Sequence, residues 1–150
     1  MHVLIVSPYF YPAWHYGGPP RVAFEFAKAL VRAGHEVTVY TTDTFNRQER
    51  IQKSFDEVEG IKIRYFRNRS NRFSSHFLYF NPLDFRKHLK KTMGHFDVVH
   101  LNEFRTHMTY HAARIAHKAA KLGNRAGVGN VEIAPRRPLL PGCNGLVDSH

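Results

Sequence analysis

Residues 2–42 restrict the fold more than any other stretch of this chain. Val3, Leu4, Ile5 and Val6 form a near-continuous β-prone run, the pattern of a strand covered on both faces. After a loop, a run ending at Ala33 places Val22, Ala23, Phe26, Ala27 and Leu30 on one side of a helix. Arg21, Glu25, Lys28 and Arg32 fall on the other side. Gly34 closes that helix as its C′ residue, and a second β-rich run follows from Glu36 to Thr42. Strand, amphipathic helix and strand make one βαβ unit, the seed of a parallel sheet. The predicted class is therefore α/β, a Rossmann-like parallel sheet with helices on both faces.

In such a sheet the joint between first strand and first helix is where ligands bind. Here it runs from Pro8 to Pro19, twelve residues where about two to six are usual. It carries Tyr9, Phe10, Tyr11, Trp14 and Tyr16. These rings suit either a packed lid or a platform for sugar rings or bases. Packing is the expectation for Phe10, while Trp14 fits both. Gly17 and Gly18 then reach backbone conformations closed to other residues, and Pro20 suits a helix's first turn. A glycine pair opening a helix leaves N–H groups aimed at the loop, suited to phosphate or carboxylate. Arg21 stands at the same helix start. The pair is not a GxGxxG fingerprint, so dinucleotide binding gains no support.

The remaining elements are predicted in order. Residues 44–59 carry Ile51, Phe55 and Val58 at helical spacing, which suggests a short surface helix. Residues 61–66 alternate as a strand. Asn81 is the expected N-cap of a basic helix with Phe85, Leu89 and Met93 inward, ending at Gly94. A buried strand over 96–102 precedes a helix over 106–122, with Met108, Ala112, Ile115, Ala119 and Leu122 on its apolar stripe. Beyond Lys118 the periodicity fades, and residues 119–150 read as an atypical, poorly ordered tail.

A chain of 150 residues supports one domain with a real core, and hardly two. No apolar run approaches the roughly 20 residues needed to span a bilayer. The single cysteine, Cys143, cannot form an internal disulfide, so a reducing cytoplasm is the expected compartment. The net charge of +10 is concentrated between Lys62 and Lys91, where nine Lys or Arg face the single acid Asp84. Such a patch favours a polyanion or is a solvated face without a partner.

Three blocks together resemble the N-terminal, acceptor-side domain of a family 4-like glycosyltransferase of the two-Rossmann-domain (GT-B) type. They are residues 2–12 with Gly17 and Gly18, the helix end Gly34-His35-Glu36-Val37, and the run from Phe96 to Thr106. The likeness covers residues 1–118 and implies a single, incomplete GT-B half. It implies a reaction that moves a sugar from a nucleotide sugar to the hydroxyl of a glycan or lipid-linked acceptor, with no metal or other cofactor. It also implies that Gly17, Gly18 and Arg21 approach the donor's diphosphate or the acceptor, and that His100 and Glu103 line the catalytic cleft. The sequence departs from the family pattern in three places. Asn102 stands where a second histidine is common, and Ala134-Pro135-Arg136-Arg137 only partly matches a Pro-His-Gly or Pro-Arg-Gly strand end. The donor-binding domain is absent, as in a fragment or a chain whose coding frame was lost near Lys118. A partner chain supplying that half would restore turnover. The resemblance places the chain in polysaccharide or glycolipid synthesis.

Rival readings rest on other residues. The segment between Lys62 and Lys91 interleaves cations with Tyr65, Phe66, Phe73, Phe77, Tyr79, Phe80 and Phe85. That composition suits peripheral contact with the anionic inner face of a membrane, and nucleic acid less well. His107 and His111 have zinc-compatible spacing, but Met108 occupies the place of the HExxH glutamate. With Arg114 and Lys118 they read as a solvated basic face. Glu49 and Glu57 match the seven-residue spacing of a donor-domain glutamate pair, but in the wrong domain. Ser7 lacks a nucleophile elbow.

Overall fold

The computed structural model describes residues 1–71, 79–103 and 105–122. Of the predicted tail, residues 119–121 lie in the last helix and 123–150, with Ala134 to Arg137, lie outside these residues, as do Phe73, Phe77 and Cys143. Five strands form one sheet: β1 (His2–Val6), β2 (Glu36–Thr42), β3 (Phe55–Val58), β4 (Ile61–Phe66) and β5 (Val98–Leu101). Their order is β3-β4-β2-β1-β5. β1 pairs in parallel with β2 on one side and β5 on the other, with Ile5 opposite Val39 and His100. β2 and β4 are also parallel. This is the predicted Rossmann-like arrangement, and Leu4, Ile5 and Val6 are fully buried at its centre.

Strand alternation sends side chains to two cores. On one face Val3, Ile5, Val37, Val39, Ile61 and Ile63 pack beneath α1 (Gly18–Arg32) through Ala23 and Ala27. On the other, Leu4, Val6, Tyr40, Phe66 and Val99 meet α2 (Phe85–Thr92) and α3 (His107–Lys121). Phe85, Leu89 and Met93 point inward as expected. So do Met108, Ala112 and Ala119. Thr106 caps α3 by accepting a bond from the Thr109 N–H at 3.3 Å.

Several local expectations need correction. Residues 44–59 form no helix. The Asn46 carboxamide oxygen instead accepts from the N–H groups of Gln48 and Glu49 at 2.8 and 2.7 Å, closing a tight loop. Phe55–Val58 then turns back as an antiparallel partner of β4, so the sheet is mixed at this edge. Side-chain bonding to backbone won over a weak helical pattern. Asn81 is not an N-cap. Its N–H donates to Asn68 Oδ1 at 3.2 Å, and α2 starts four residues later, after a left-handed Asp84. Val22 and Phe26 are 69% and 41% exposed, because α1 settles on its two alanines, which allow close approach. Leu122 lies just past α3, 71% exposed, and not on its buried stripe.

Candidate functional site

Because β1, β2, β4 and β5 run in parallel, the loops that follow them emerge at one edge. The loop after β1 is built from the backbone outward. The Ser7 N–H donates to Tyr40 O at 3.0 Å, Thr42 Oγ1 to Pro8 O at 2.6 Å, and Ser7 Oγ to Tyr9 O at 2.7 Å. Tyr9 then turns into the core shared with α2 and α3, while Phe10 turns into the core beneath α1. The loop is thus pinned to both faces, and Phe10 is packed as expected. A turn of 3-10 helix over Trp14–Tyr16 leads into α1.

Gly17 is the N-cap of α1 with φ 86° and ψ −133°, a conformation that disfavours any L side chain. Gly18 is the first helical residue, and a Cβ built on either glycine meets nothing within 4 Å. Both glycines are exposed, at the carboxyl edge and beside the central strand. Arg21 stands in the first turn with its guanidinium 5.2 Å from the Trp14 ring centre. Trp14 is itself only half-buried and meets Tyr11 and Phe24 edge-on at 5.5 Å. The geometry places Gly17, Gly18 and Arg21 together at an open helix start, as the sequence suggested.

His100 and Glu103 are placed differently from each other. His100 shares the α1 face of β5 with Val98, its ring 4.8 Å from that of Phe26. Burial pushes its imidazole below the ordinary value, favouring the neutral form. Glu103 follows the strand end in a left-handed conformation, φ 65°, and its carbonyl accepts from Thr109 Oγ1 at 2.7 Å. Burial, together with the charge of its carboxylate, pushes the Tyr9 phenol up to about 12. Among the described residues no hydrogen bond joins His100 to Glu103. They flank the end of β5 as two separate groups. Asn102, at the position where a second histidine was weighed, donates from Nδ2 to Ser7 Oγ at 3.0 Å and ties the ends of β5 and β1 together.

The sequence reading missed two features. Tyr16 stacks on Tyr9 with ring centres 4.6 Å apart and planes 2° from parallel, and the buried Tyr16 hydroxyl has no hydrogen-bond partner among the described residues. The second feature is a group of three adjoining hollows that share Arg50. The largest, about 720 Å³, is lined among others by Tyr11, Phe45, Gln48, Gln52, Asp56 and Tyr65. Neither the glycine pair nor His100 lines any of the three. Arg47 and Arg50, three residues apart in a polar loop after a parallel strand, were the signal available in the sequence.

The rival residues resolve as follows. Of the interleaved aromatics, Tyr65, Phe66, Phe80 and Phe85 are core residues, each no more than 5% exposed, and only Tyr79 among those described is exposed. Lys62 is paired with Glu36 at 2.5 Å. His107 and His111 join through their Nε2 atoms at 3.0 Å, and burial with the charge of Arg86 holds both imidazoles below their ordinary value. Among the described residues no cluster of three or more His, Cys, Asp or Glu could hold a metal. No described helix is long and apolar enough to cross a membrane.

The family model for Glycosyltransferase Family 4 matches residues 16–124, from the aromatic loop to just past α3. No curated protein and no solved structure matches the chain.

Proposed function

Since the chain belongs to glycosyltransferase family 4, we propose that this domain is the acceptor-side half of a site moving a sugar from a nucleotide sugar to an acceptor hydroxyl. The observation that carries the reading is the exposed Gly17–Gly18 turn opening α1 beside the central strand. The Gly17 N–H is donated to Trp14 O at 3.1 Å and Pro19 and Pro20 carry no N–H, so it is the Gly18 N–H, with no side chain in the way, that suits a diphosphate whose charge grows as the glycosidic bond breaks. Arg21 adds a fixed positive charge there.

In this reading Glu103 stands at the rim of the cleft as the group that orients or deprotonates the acceptor. A half-buried neutral His100 serves as a hydrogen-bonding partner for a sugar hydroxyl. The donor-binding half comes from outside the described domain, from further sequence or a partner chain, and closure of the two halves excludes water. The chemistry needs no metal or further cofactor, and a glycan or lipid-linked acceptor in polysaccharide or glycolipid synthesis fits it.

Titration with uridine and guanosine diphosphate sugars tests the reading, using native chain and Gly18→Ala. Gly18 has room for a methyl group, so the variant should fold normally yet bind the nucleotide sugar at least tenfold more weakly. Equal binding by both proteins would remove the glycine turn from the site.

A second reading is favoured by the outer face of α2, where Arg86, Lys87, Lys90 and Lys91 are all exposed and, among the described residues, form no ion pair. It makes that face a peripheral contact for anionic lipid on the cytoplasmic side of a membrane, with the buried Tyr65, Phe66, Phe80 and Phe85 playing no part. Salt-sensitive cosedimentation with anionic vesicles, lost in Lys87→Ala/Lys90→Ala, is its test. Nucleic acid remains the weaker partner, because four of the five described aromatics of that segment, Tyr65, Phe66, Phe80 and Phe85, are buried and cannot stack on bases.

A further inference from the structure

A positively charged hollow lies between the loops that follow β2 and β4, and the glycine turn does not use it. About 430 Å³ in volume, it is lined by Arg47, Gln48, Arg50, Arg69, Ser70 and Asn71, with no acid among them. Its walls are held by neighbouring groups. Arg50 Nη1 donates to both Asp43 oxygens at 3.0 and 2.8 Å and to Asn68 O at 2.9 Å. Asn71 Nδ2 donates to Glu49 O at 3.4 Å, and Thr44 Oγ1 to Asn71 Oδ1 at 3.2 Å, so the two loops are cross-tied. Arg50 is therefore a strut. Arg47 and Arg69 are exposed and form no ion pair among the described residues.

Two guanidinium groups without an ion pair among the described residues, beside neutral amide and hydroxyl groups, match a tetrahedral oxyanion. The adjoining 720 Å³ hollow supplies what a sugar ring needs, with the rings of Tyr11 and Phe45 next to Gln48, Gln52 and Asp56. Arg47 also links this region to the first loop, since its charge acts on the Tyr16 hydroxyl. Both hollows open at the same carboxyl edge as Gly17 and Glu103, because β1, β2, β4 and β5 are parallel.

We propose that the acceptor held by this domain carries a phosphate, bound by Arg47 and Arg69 in the hollow between the two loops, with its sugar in the neighbouring hollow. The proposal rests on the acceptor-side reading above and adds the chemical class of the acceptor. A soluble sugar phosphate and a phosphate-bearing lipid share this chemistry.

The test is calorimetric titration of the full chain with glucose 1-phosphate and with methyl glucoside, alongside sedimentation with phosphatidylcholine vesicles with and without phosphatidic acid. The chain should bind at least one phosphate probe, and Arg47→Ala/Arg69→Ala should weaken that binding about a hundredfold, roughly tenfold per charged contact. Lys118→Ala/Lys121→Ala removes the same charge from the exposed end of α3 and should leave it unchanged. Both arginines are exposed, so an unaltered melting temperature will show that the variant is folded. Binding only to glucose 1-phosphate identifies a soluble acceptor, and binding only to phosphatidic acid vesicles a lipid one. The proposal is overturned if neither phosphate probe binds, if methyl glucoside binds as well as glucose 1-phosphate, or if the two double variants lose binding equally. The acceptor-side reading falls or stands separately, on the nucleotide-sugar titration of Gly18→Ala, in which neither arginine is altered.

Discussion

At the scale of single residues, Gly17 and Gly18 separate what the backbone demands from what a ligand would demand. Gly17→Ala forces a side chain into φ 86° and should destabilise the protein by about 1–2 kcal/mol, read as a lower denaturation midpoint. Gly18→Ala carries no such strain and should leave the midpoint unchanged or slightly raised. His100 makes a pH prediction of its own. Burial lowers its folded pKa, so the unfolded chain takes up a proton first as pH falls. Its contribution is complete above the ordinary histidine value near 6.5 and is lost as pH drops below it. His88, His107 and His111 are shifted in the same direction. Thermal melts should therefore show a falling Tm from pH 7 to pH 5, less steeply in His100→Gln. Glu36, held low by Lys62, acts only at more acid pH and does not blur this window.

At the scale of elements, the loop after β2 is organised by Asp43. It is nearly buried and receives Arg50 together with the Asn68 N–H at 2.8 Å. Arg50→Ala leaves that carboxylate short of its cation and should cost about 2–3 kcal/mol, with the three hollows losing their shared wall. Leu89→Ala in α2, a fully buried side chain, should cost about 2–5 kcal/mol in urea unfolding. The elements also show where sequence reasoning stops. Strands and helices with strong periodicity were legible: β1, β2, β4, β5 and the helices 18–32, 85–92 and 107–121 all stand within a few residues of expectation. The stretch 44–59 was not, because its structure is set by Asn46 bonding to backbone and by pairing with β4, neither of which leaves a periodic trace. Val22 and Phe26 misled for a related reason. Two alanines carry little hydrophobic weight, yet they let a helix lie close to a sheet, and that set the rotation of α1.

At the scale of the whole molecule, parallel strands bring the ends of β1, β2, β4 and β5 to one edge, which gathers the glycine turn, Glu103 and the arginine hollow on one side of the sheet. The glycine turn was legible because it lies next to a strand–helix junction in sequence. The arginine hollow was not, since Arg47 and Arg69 are brought together only by the pairing of β2 with β4 and the cross-ties through Asn71. His100 and Glu103, three residues apart, sit on different sides of the strand end, which spacing alone could not reveal. The central claim is that the exposed turn at the start of α1 is part of a sugar-transfer site. Its most direct test is an amide-resolved NMR titration of the full chain with nucleotide sugar. The account predicts shifts centred on the N–H groups of Gly17, Gly18 and Arg21, with smaller ones at Glu103. Saturable shifts confined to other parts of the molecule, with those amides unmoved, would contradict it.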